Sequence, residues 1–183
     1  MDTLVRRPRI DPKFARYRLA IRKSKIHRYG VYAEERIPAN RKVMEYTGER
    51  INRAETKRRG EGEYTYLFTL DNYWTIDGAF GGSGAEIINH CCEPNLITRI
   101  MKGHIIYMSV REIEPGEELL VDYNFTYTGD KSKCTCGAKT CRGIMEKVTP
   151  KLRRALEKEK AARTPKAART APRALSRTQA ATA

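Results

Sequence analysis

Residues 86–95 read EIINHCCEPN and bring together a histidine, two adjacent cysteines and two asparagines. The apolar pair Ile87 and Ile88 leads into this group, and Pro94 with Asn95 closes it. A buried strand end followed by a tight turn would explain the pattern without any function. Two thiols beside an imidazole equally suit half of a metal site or half of a cofactor site. The rest of the chain has to supply the other half.

A second group of cysteines lies downstream, where residues 134–141 read CTCGAKTC in the spacing C-x-C-x4-C. A structural zinc site is tetrahedral and takes four ligands, so three thiolates leave one position open. The other cysteines of the chain are Cys91 and Cys92. The count therefore predicts a four-cysteine zinc site that is completed by one member of this pair. The alternative is a loop of reduced thiols, although cysteines in a short polar stretch rarely serve packing.

Charge is distributed unevenly along the 183 residues, which carry a net charge of +14. Residues 1–28 hold 10 basic and 2 acidic side chains, and residues 147–183 hold 11 basic and 2 acidic ones. Residues 29–146 hold 15 basic and 18 acidic side chains. Two basic arms therefore flank a mildly acidic body. The arms favour a polyanion such as DNA or RNA, or serve as solubilising tails, and the body favours a basic ligand.

The sequence also bears on the cellular compartment. It has no apolar run of the length of a membrane span, and the N-terminal stretch MDTLVRRPRIDPKF lacks the hydrophobic segment of a signal peptide. We therefore expect an intracellular protein in a reducing compartment. Its five cysteines should then be thiols or metal ligands and not disulfides.

Short alternating runs separated by glycine, proline and Asn/Asp turns dominate the body and predict strands. Hairpins are predicted around Asp71–Asn72 and around Lys102–Gly103. Residues 52–64, NRAETKRRGEGEY, are polar and permit a helix. The predicted fold class is mainly β with little helix and with pairing between strands that are distant in sequence. Residues 151–162 can form a helix, and the Ala/Arg/Thr/Pro-rich segment that follows is predicted to be disordered.

Five segments, taken in order, resemble one known family. They are SKIHRYGVYAEERIPANRKVMEYTGERI (24–51), YTYLFTLDNYWTIDG (64–78), INHCCEPN (88–95), GEELLVDYNF (116–125) and CTCGAKTCRGIM (134–145). Together they are similar to the SET-domain protein lysine N-methyltransferases that carry a post-SET zinc segment. No cysteine precedes Cys91, so the sequence lacks the cysteine-rich pre-SET cluster of some members.

The resemblance implies a fold of small sheets in which residues 88–95 and 119–125 thread beside each other in a knot-like core. It divides the chain into a basic N-terminal arm (1–23), a SET domain (24–128), a post-SET zinc-binding segment (129–147) and a basic helical or disordered tail (148–183). Of the two adjacent cysteines it selects Cys92, which would hold a structural zinc ion together with Cys134, Cys136 and Cys141. Cys91 would be a small buried spectator.

The resemblance also implies S-adenosylmethionine as the methyl donor. The residues that match cofactor-binding positions are His27, Arg28, Tyr29, Gly30, Tyr66, Asn89, His90 and Thr135. Gly30 is expected where the backbone approaches the ligand closely. Taken alone, His90 or Tyr66 would more often be a core residue, and only the shared motif marks them as ligand-binding.

Tyr123 matches the catalytic tyrosine of the family, and Tyr46 matches a second tyrosine near the lysine channel. Phe68 and Val121 match positions that line this channel. The implied reaction is an in-line displacement in which a neutral lysine nitrogen attacks the methyl carbon of a sulfonium, while Tyr123 aligns the amine. The family often has Phe or Tyr at the position of Val121, and a Tyr hydroxyl there restricts the product to monomethyl-lysine. Valine has neither hydroxyl nor bulk, so we expect dimethylation and trimethylation.

An acidic body with a lysine channel suits a basic protein, so the expected substrate is a histone or histone-like tail. The basic arms could hold the enzyme at DNA. Residues 162–173, ARTPKAARTAPR, themselves resemble a histone tail, which suggests automethylation at Lys166. The expected localisation is the nucleus and chromatin in a eukaryote, or the cytoplasm and nucleoid in a bacterium.

Two alternatives to a methyltransferase remain at this stage. One is a nucleic-acid-binding module with a small zinc ribbon and no catalysis, which would leave the motifs at 88–95 and 116–125 unexplained. The other is a catalytically weak SET-domain scaffold that binds lysines, chromatin or nucleic acid. The presence of Asn89, His90 and Tyr123 argues against this second alternative.

Overall fold

The computed structural model describes residues 8–61, 66–127 and 131–163, with side chains as far as Lys158. Within these ranges the chain forms ten strands, one 3-10 turn and two helices, which confirms the predicted β-rich fold class. The strands are β1 (Leu19–Lys23), β2 (Tyr29–Ala33), β3 (Lys42–Tyr46), β4 (Glu49–Asn52), β5 (Leu67–Thr69), β6 (Trp74–Asp77), β7 (Asn89–His90), β8 (Leu96–Met101), β9 (His104–Ser109) and β10 (Leu120–Val121). The 3-10 turn is Ala85–Ile87, and the helices are α1 (Arg53–Gly60) and α2 (Pro150–Arg163).

Five strands form the central sheet in the order β3-β9-β8-β10-β7. The strands β3, β9 and β8 are antiparallel neighbours, whereas β10 runs parallel to both β8 and β7. The short β10 thus lies between two strands that residues 91–95 connect. This threading of residues 120–121 is the knot-like core that the resemblance implies.

Asn95, the last residue of the EIINHCCEPN stretch, holds the threaded segment in place through two hydrogen bonds. Its side-chain amide donates to the carbonyl oxygen of Glu118 at 2.8 Å, and its amide oxygen accepts from the N–H of Leu120 at 2.8 Å. Asn95 is buried, so both bonds form away from water, where an unpaired amide would be costly. The side chain therefore pairs with the entry to β10 as a neighbouring strand would.

Two smaller sheets accompany the central one. The strands β4, β6 and β5 form a three-stranded antiparallel sheet, and β1 pairs with β2. Helix α1 follows β4 directly, because Asn52 caps its N-terminus by accepting from the N–H of Glu55, and it ends at Gly60. The predicted hairpins at Asp71–Asn72 and Lys102–Gly103 are the β5–β6 and β8–β9 connections.

The hydrophobic core draws aliphatic side chains from the sheets and from the loops between them. Burial of each large side chain contributes about 1.5–3 kcal/mol relative to exposure, so this core is the main source of stability for the fold. Its most deeply buried members are Val31, Ile37, Val43, Met44, Ile88, Leu96, Ile105, Ile113 and Leu119.

The described part of the N-terminal arm packs on the domain body. Backbone groups of residues 8–18 exchange hydrogen bonds with residues of the body. Arg18 and Arg22 form exposed salt bridges with Glu35 and Glu34. Part of the positive charge of this arm is therefore already paired with acidic side chains.

Contacts divide the chain after Lys147, and the second unit contains helix α2. Pro150 begins this helix, where its missing N–H costs no hydrogen bond. Within the described ranges, no helix is long and apolar enough to cross a membrane. The predicted automethylation site Lys166 lies outside the described residues.

Candidate functional site

Four cysteine sulfur atoms converge where the EIINHCCEPN stretch meets the later cysteines. The Sγ atoms of Cys92, Cys134, Cys136 and Cys141 all lie within 4.8 Å of one another. Cys92 Sγ is 3.8 Å from Cys134 Sγ and 4.0 Å from Cys141 Sγ, and the latter two are 3.7 Å apart. Four thiolates around a zinc ion at about 2.3 Å have tetrahedral S–S edges of about 3.8 Å, so these sulfur atoms have the spacing that one metal ion requires.

Cys91 lies beside this cluster but is not one of the four. It is 4% exposed, and burial raises the pKa of its thiol to about 11. Its Sγ accepts a hydrogen bond from the N–H of Glu93 at 3.4 Å. The structure thus places Cys92, and not Cys91, among the four converging cysteines.

Backbone N–H groups donate to three sulfur atoms of the cluster. Burial opposes ionisation of Cys136, but N–H donors from Cys92 and Ala138, together with hydrogen bonds from neighbouring thiols, lower the pKa of its thiol to about 6. Burial raises the pKa of the Cys92 and Cys134 thiols. One cluster cysteine is therefore a thiolate near neutral pH, which is the form that can ligate a metal ion. The three contacts run from the N–H of Cys92 to Cys136 Sγ at 3.5 Å, from Arg142 to Cys92 Sγ at 3.4 Å and from Gly143 to Cys141 Sγ at 3.4 Å.

His90 connects the cluster to the end of β10. The imidazole is 2% exposed, and burial lowers its pKa, so the ring is neutral at pH 7. Nδ1 accepts from the N–H of Tyr123 at 3.1 Å, which leaves the ring proton on Nε2, 3.5 Å from Cys92 Sγ. One buried ring therefore sets the distance between a cluster cysteine and the backbone of Tyr123.

Tyr123 follows β10, and its phenol is held from two sides. The hydroxyl donates to the carbonyl oxygen of Ile88 at 3.0 Å. The ring centroid lies 5.3 Å from that of His90 and 5.2 Å from that of Phe125. Desolvation of the hydroxyl raises the pKa of Tyr123 to about 12, while 37% of the residue remains exposed. Tyr123 is therefore a protonated, oriented phenol that a ligand can still reach.

The residue before Tyr123 anchors the cysteine segment, residues 131–147. Asp122 accepts two hydrogen bonds from the Arg142 guanidinium, at 2.7 and 2.9 Å. Burial raises the pKa of Asp122, but the Arg142 partner outweighs it, and the pKa lies below its ordinary value. A bidentate and mostly buried ion pair thus ties the cysteine segment to the end of β10.

The rings of Tyr46, Phe68 and Tyr107 contact one another and form a cluster that we call the aromatic wall. The ring of Tyr46 lies 5.3 Å from that of Phe68 and 6.3 Å from that of Tyr107. The Tyr46 hydroxyl donates to the carbonyl oxygen of Tyr66 at 2.5 Å, and burial raises the pKa of both Tyr46 and Tyr107. Val121 is 2% exposed and belongs to the hydrophobic core beside this wall. The wall therefore consists of neutral aromatic rings, which attract cations through their faces.

The predicted cofactor residues near the N-terminus lie at the β1–β2 turn. His27 and Arg28 belong to the turn, and Tyr29 and Gly30 begin β2. The side-chain amide of Asn89 donates to the carbonyl oxygens of Tyr29 at 2.9 Å and of His27 at 3.4 Å. The turn and the Asn-His pair, which are 60 residues apart in sequence, therefore meet directly.

Two further predicted residues have particular settings. Thr135 is exposed between Cys134 and Cys136. At Gly30 a Cβ atom would lie 2.1 Å from Glu118 Oε1, so the close neighbour in the structure is a carboxylate of the chain itself. A glycine is required there for space, because a larger residue would displace Glu118.

The family model of the SET domain matches residues 28–124, which is more than half of the chain. The chain belongs to the SET-domain family. This confirms the resemblance inferred from the five motifs. The matched range contains Asn89, His90 and Tyr123, whereas the three cysteines at 134–141 lie beyond it.

Relatives with established names share this SET domain. The histone-lysine N-methyltransferase trithorax of Drosophila melanogaster is 38% identical over 129 residues, which cover 66% of this chain and 4% of trithorax. A Schizosaccharomyces pombe protein named histone-lysine N-methyltransferase, H3 lysine-4 specific, is 42% identical over 133 residues, which cover 67% of this chain and 14% of that protein. The chain thus matches only a small part of the length of each relative.

A solved structure shows the same SET fold. The crystal structure of KRYPTONITE in complex with mCHG DNA and SAH superposes with a TM-score of 0.62 and 28% sequence identity. The superposition covers 72% of this chain and 29% of that one. The similarity therefore concerns the SET domain.

Several side chains that hold this site together were not singled out from the sequence. Four of them stand inside the recognised motifs, so their position next to motif residues was a usable signal. Tyr107 stands in an ordinary apolar strand and gave no signal. The four motif residues are Asn95, Glu118, Asp122 and Arg142.

Proposed function

We propose that this chain is an S-adenosylmethionine-dependent protein-lysine N-methyltransferase. The observation that carries the proposal is the meeting of Asn89, His90 and Tyr123 beside a neutral aromatic wall in a SET-domain chain. The relatives are named as histone-lysine N-methyltransferases, and the KRYPTONITE structure contains SAH, the product that remains after S-adenosylmethionine has lost its methyl group.

The residues present fit S-adenosylmethionine. Tyr29 and Tyr66 are 46% and 38% exposed, and the side-chain amide of Asn89 binds carbonyl oxygens of the β1–β2 turn. Aromatic faces and carbonyl oxygens are suitable partners for an adenine ring and a sulfonium cation. We assign the binding of this cofactor to His27, Arg28, Tyr29, Gly30, Tyr66, Asn89, His90 and Thr135.

S-adenosylmethionine, when bound, supplies a methyl group activated by a sulfonium. The lysine nitrogen must attack in line, and orientation of this kind supplies up to about 7–11 kcal/mol in favourable cases. The attacking amine must also be neutral, whereas the ordinary pKa of lysine is about 10.4. Desolvation against the aromatic wall, next to the positive charge of the sulfonium, would lower the pKa of the incoming lysine and so raise the fraction of neutral amine.

Tyr123 orients this amine. Its hydroxyl proton points to the Ile88 carbonyl oxygen, so the oxygen lone pairs are free to accept a hydrogen bond from the amine. Its pKa of about 12 makes the phenolate scarce near neutral pH, which argues against Tyr123 as the general base. The role we assign to Tyr123 is therefore alignment of the nucleophile, with Tyr46 fixing the channel wall through its bond to Tyr66.

For the metal we propose zinc. Four thiolates with tetrahedral spacing are the ligand set of a structural zinc site. Metal binding by Cys92, Cys134, Cys136 and Cys141 would join the EIINHCCEPN stretch to the cysteine segment. His90 and the Asp122–Arg142 pair then connect the metal site to Tyr123 through hydrogen bonds. The metal would therefore be structural and would hold the cysteine segment in place beside the site.

The substrate we propose is the basic tail of a histone or histone-like protein. The body of the domain has more acidic than basic side chains, which favours a cationic peptide. The names of the relatives point to the same class and support a chromatin location in a eukaryotic cell. Methylation of Lys166 in the chain itself remains part of the proposal, and intact-mass analysis after incubation with the cofactor tests it.

DNA contact through the basic arms is also proposed. On helix α2, Lys151, Arg154 and Lys158 recur at helical spacing and line a common surface, and the salt bridges found within the described ranges do not include them. Such a stripe of positive charge would attract the phosphate backbone of DNA, and its binding should weaken steeply as salt rises. A fluorescence anisotropy titration of duplex DNA at two salt concentrations tests this contact.

Val121 sets the proposed product. A buried valine places no hydroxyl near the amine, so nothing at this position favours a stop after the first methyl group. We therefore propose that the enzyme adds a second and a third methyl group to its target lysine.

A methyl-transfer assay with radiolabelled S-adenosylmethionine tests the proposed function. Core histones and a bacterial histone-like protein serve as parallel acceptors, and Tyr123→Phe is the control. We expect label in an acceptor or in the enzyme itself that disappears in the control. Cofactor binding without transfer to any acceptor would favour a SET-domain scaffold, and the absence of cofactor binding in calorimetry would overturn the proposal.

A further inference from the structure

The carboxylate of Glu118 gathers hydrogen bonds from three separate parts of the chain. Oε2 accepts from Ser24 Oγ at 3.0 Å and from the Tyr32 hydroxyl at 3.0 Å, and Oε1 accepts from Asn89 Nδ2 at 2.8 Å. All three donors are neutral, and the salt bridges found within the described ranges do not include Glu118. The hydrogen bonds that this partly buried carboxylate accepts within the described ranges thus come from uncharged groups, and loss of any of these donors would leave a carboxylate oxygen poorly satisfied.

The donors come from the start of the β1–β2 turn, from strand β2 and from the Asn-His pair. Ser24 stands at the start of the turn, where its hydroxyl also accepts from the N–H of Ile26, and Tyr32 stands in β2. Asn89 uses the same side-chain amide for Glu118 and for the carbonyl oxygen of Tyr29. Glu118 therefore fixes both the turn and the amide that contacts it.

Gly30 lies against this carboxylate. A Cβ atom at Gly30 would lie 2.1 Å from Glu118 Oε1 and 2.7 Å from Glu118 Cδ, far inside any allowed contact. Gly30 does not have a positive φ, so its backbone conformation is open to other residues. The glycine is needed because the Glu118 side chain occupies the adjoining space.

We infer that Glu118 is a positioning residue that holds the β1–β2 turn in its cofactor-binding form, and that Gly30 is present to admit it. This inference rests on the proposed use of S-adenosylmethionine. In this role Glu118 acts through its hydrogen bonds with Ser24, Tyr32 and Asn89. It also predicts that Gly30 and Glu118 act as one unit.

A double-mutant cycle tests the unit. Gly30→Ala forces the carboxylate out of its place, and Glu118→Ala removes it, so each should raise the Kd for S-adenosylmethionine in calorimetry by about tenfold. The Kd of the double variant should not exceed the higher of the two single-variant Kd values. The reason is that the alanine Cβ at position 30 then occupies space that the Glu118 side chain has left. The KM for the cofactor should follow the Kd, whereas kcat should change less than about threefold, because the turn touches the cofactor and not the lysine.

Glu118→Gln carries the test if Glu118→Ala does not fold. Its side chain has the same size, but it offers one acceptor oxygen and turns an N–H donor toward one of the three donors. A raised Kd with unchanged kcat supports the inference. Glu117→Gln is the matched control, because Glu117 pairs with Arg111 on the surface and should leave the Kd unchanged.

The outcomes separate the two proposals. If the wild-type protein binds the cofactor and the losses of Gly30→Ala and Glu118→Ala multiply in the double variant, the two residues act independently and the inference is overturned. An unchanged Kd in Glu118→Gln overturns it as well. If the folded wild-type protein does not bind S-adenosylmethionine, the proposed function fails and takes this inference with it.

Discussion

Replacing Arg142 by glutamine should loosen the cysteine segment without removing a cluster cysteine. Arg142 makes two charge-assisted hydrogen bonds to Asp122, and the two side chains are only 24% and 18% exposed. Breaking a fully buried pair costs about 3–5 kcal/mol, and breaking an exposed pair costs about 0.2–1 kcal/mol. The partial exposure and the neutral hydrogen bond that glutamine can still offer place the expected loss near 2 kcal/mol, or roughly 30-fold in the opening equilibrium.

Hydrogen exchange of backbone amides measures this opening directly. The reporters are the N–H of Phe125, which donates to the Met145 carbonyl oxygen, and the N–H of Lys147, which donates to the Phe125 carbonyl oxygen. Both should exchange about 30-fold faster in Arg142→Gln, while amides of the central sheet should keep their wild-type rates. The metal content of the variant is measured in parallel, so that loss of the pair is not mistaken for loss of the metal.

Arg22→Gln is the matched control for this prediction. Arg22 and Glu34 are 52% and 44% exposed and share one longer contact of 3.3 Å, so the change should cost less than about 1 kcal/mol. Equal exchange rates of the two reporters in Arg142→Gln and Arg22→Gln would refute the reasoning. The Asp122–Arg142 pair would then not be what ties the cysteine segment to β10.

Three further predictions concern the metal, the pH dependence and the product. Cys92→Ser should lose one metal ion per chain in elemental mass spectrometry, whereas the matched variant Cys91→Ser should retain it, and retention by both would contradict the assigned ligands. The kcat/KM for a lysine peptide should rise with pH toward the pKa of free lysine, about 10.4, because the amine loses its proton while Tyr123, with a pKa of about 12, stays neutral. A kcat/KM that already declines with rising pH below about pH 10 would count against the assigned role of Tyr123. Long incubation should yield trimethyl-lysine by mass spectrometry, and Val121→Tyr should shift the product toward monomethyl-lysine; a wild-type enzyme that stops at one methyl group would contradict the role given to Val121.

The sequence was sufficient for the parts of the fold that depend on local chemistry. Asn and Gly residues at turns predicted the hairpins, and alternation predicted short strands. The cysteine count predicted a four-cysteine site before any family was considered, because five cysteines with three in one short segment leave few combinations. The family motifs then supplied the threading of β10 and the choice of Cys92.

The sequence could not show which side chains connect these parts. The contacts of Glu118 join residues up to 94 positions apart, and the Asp122–Arg142 pair joins two motifs across 20 positions. Such contacts depend on how the threaded segments are placed in space, which periodicity and turn signals do not encode. Gly30 shows the difference most clearly, because the sequence suggested a ligand as its close neighbour and the structure places a carboxylate there.

The most direct test of the central claim is the rate of methyl transfer to a single lysine in wild-type enzyme and in Tyr123→Phe, at saturating cofactor. Mass spectrometry of a basic histone-tail peptide follows the reaction, and calorimetry confirms that both proteins bind S-adenosylmethionine with similar Kd. Because Tyr123 aligns the amine, removal of its hydroxyl in Tyr123→Phe should lower the rate of methyl transfer by about 100-fold while cofactor binding persists. Equal rates in the two proteins would contradict the role of Tyr123, and an unmodified lysine in both, despite bound cofactor, would contradict methyl transfer to this class of substrate.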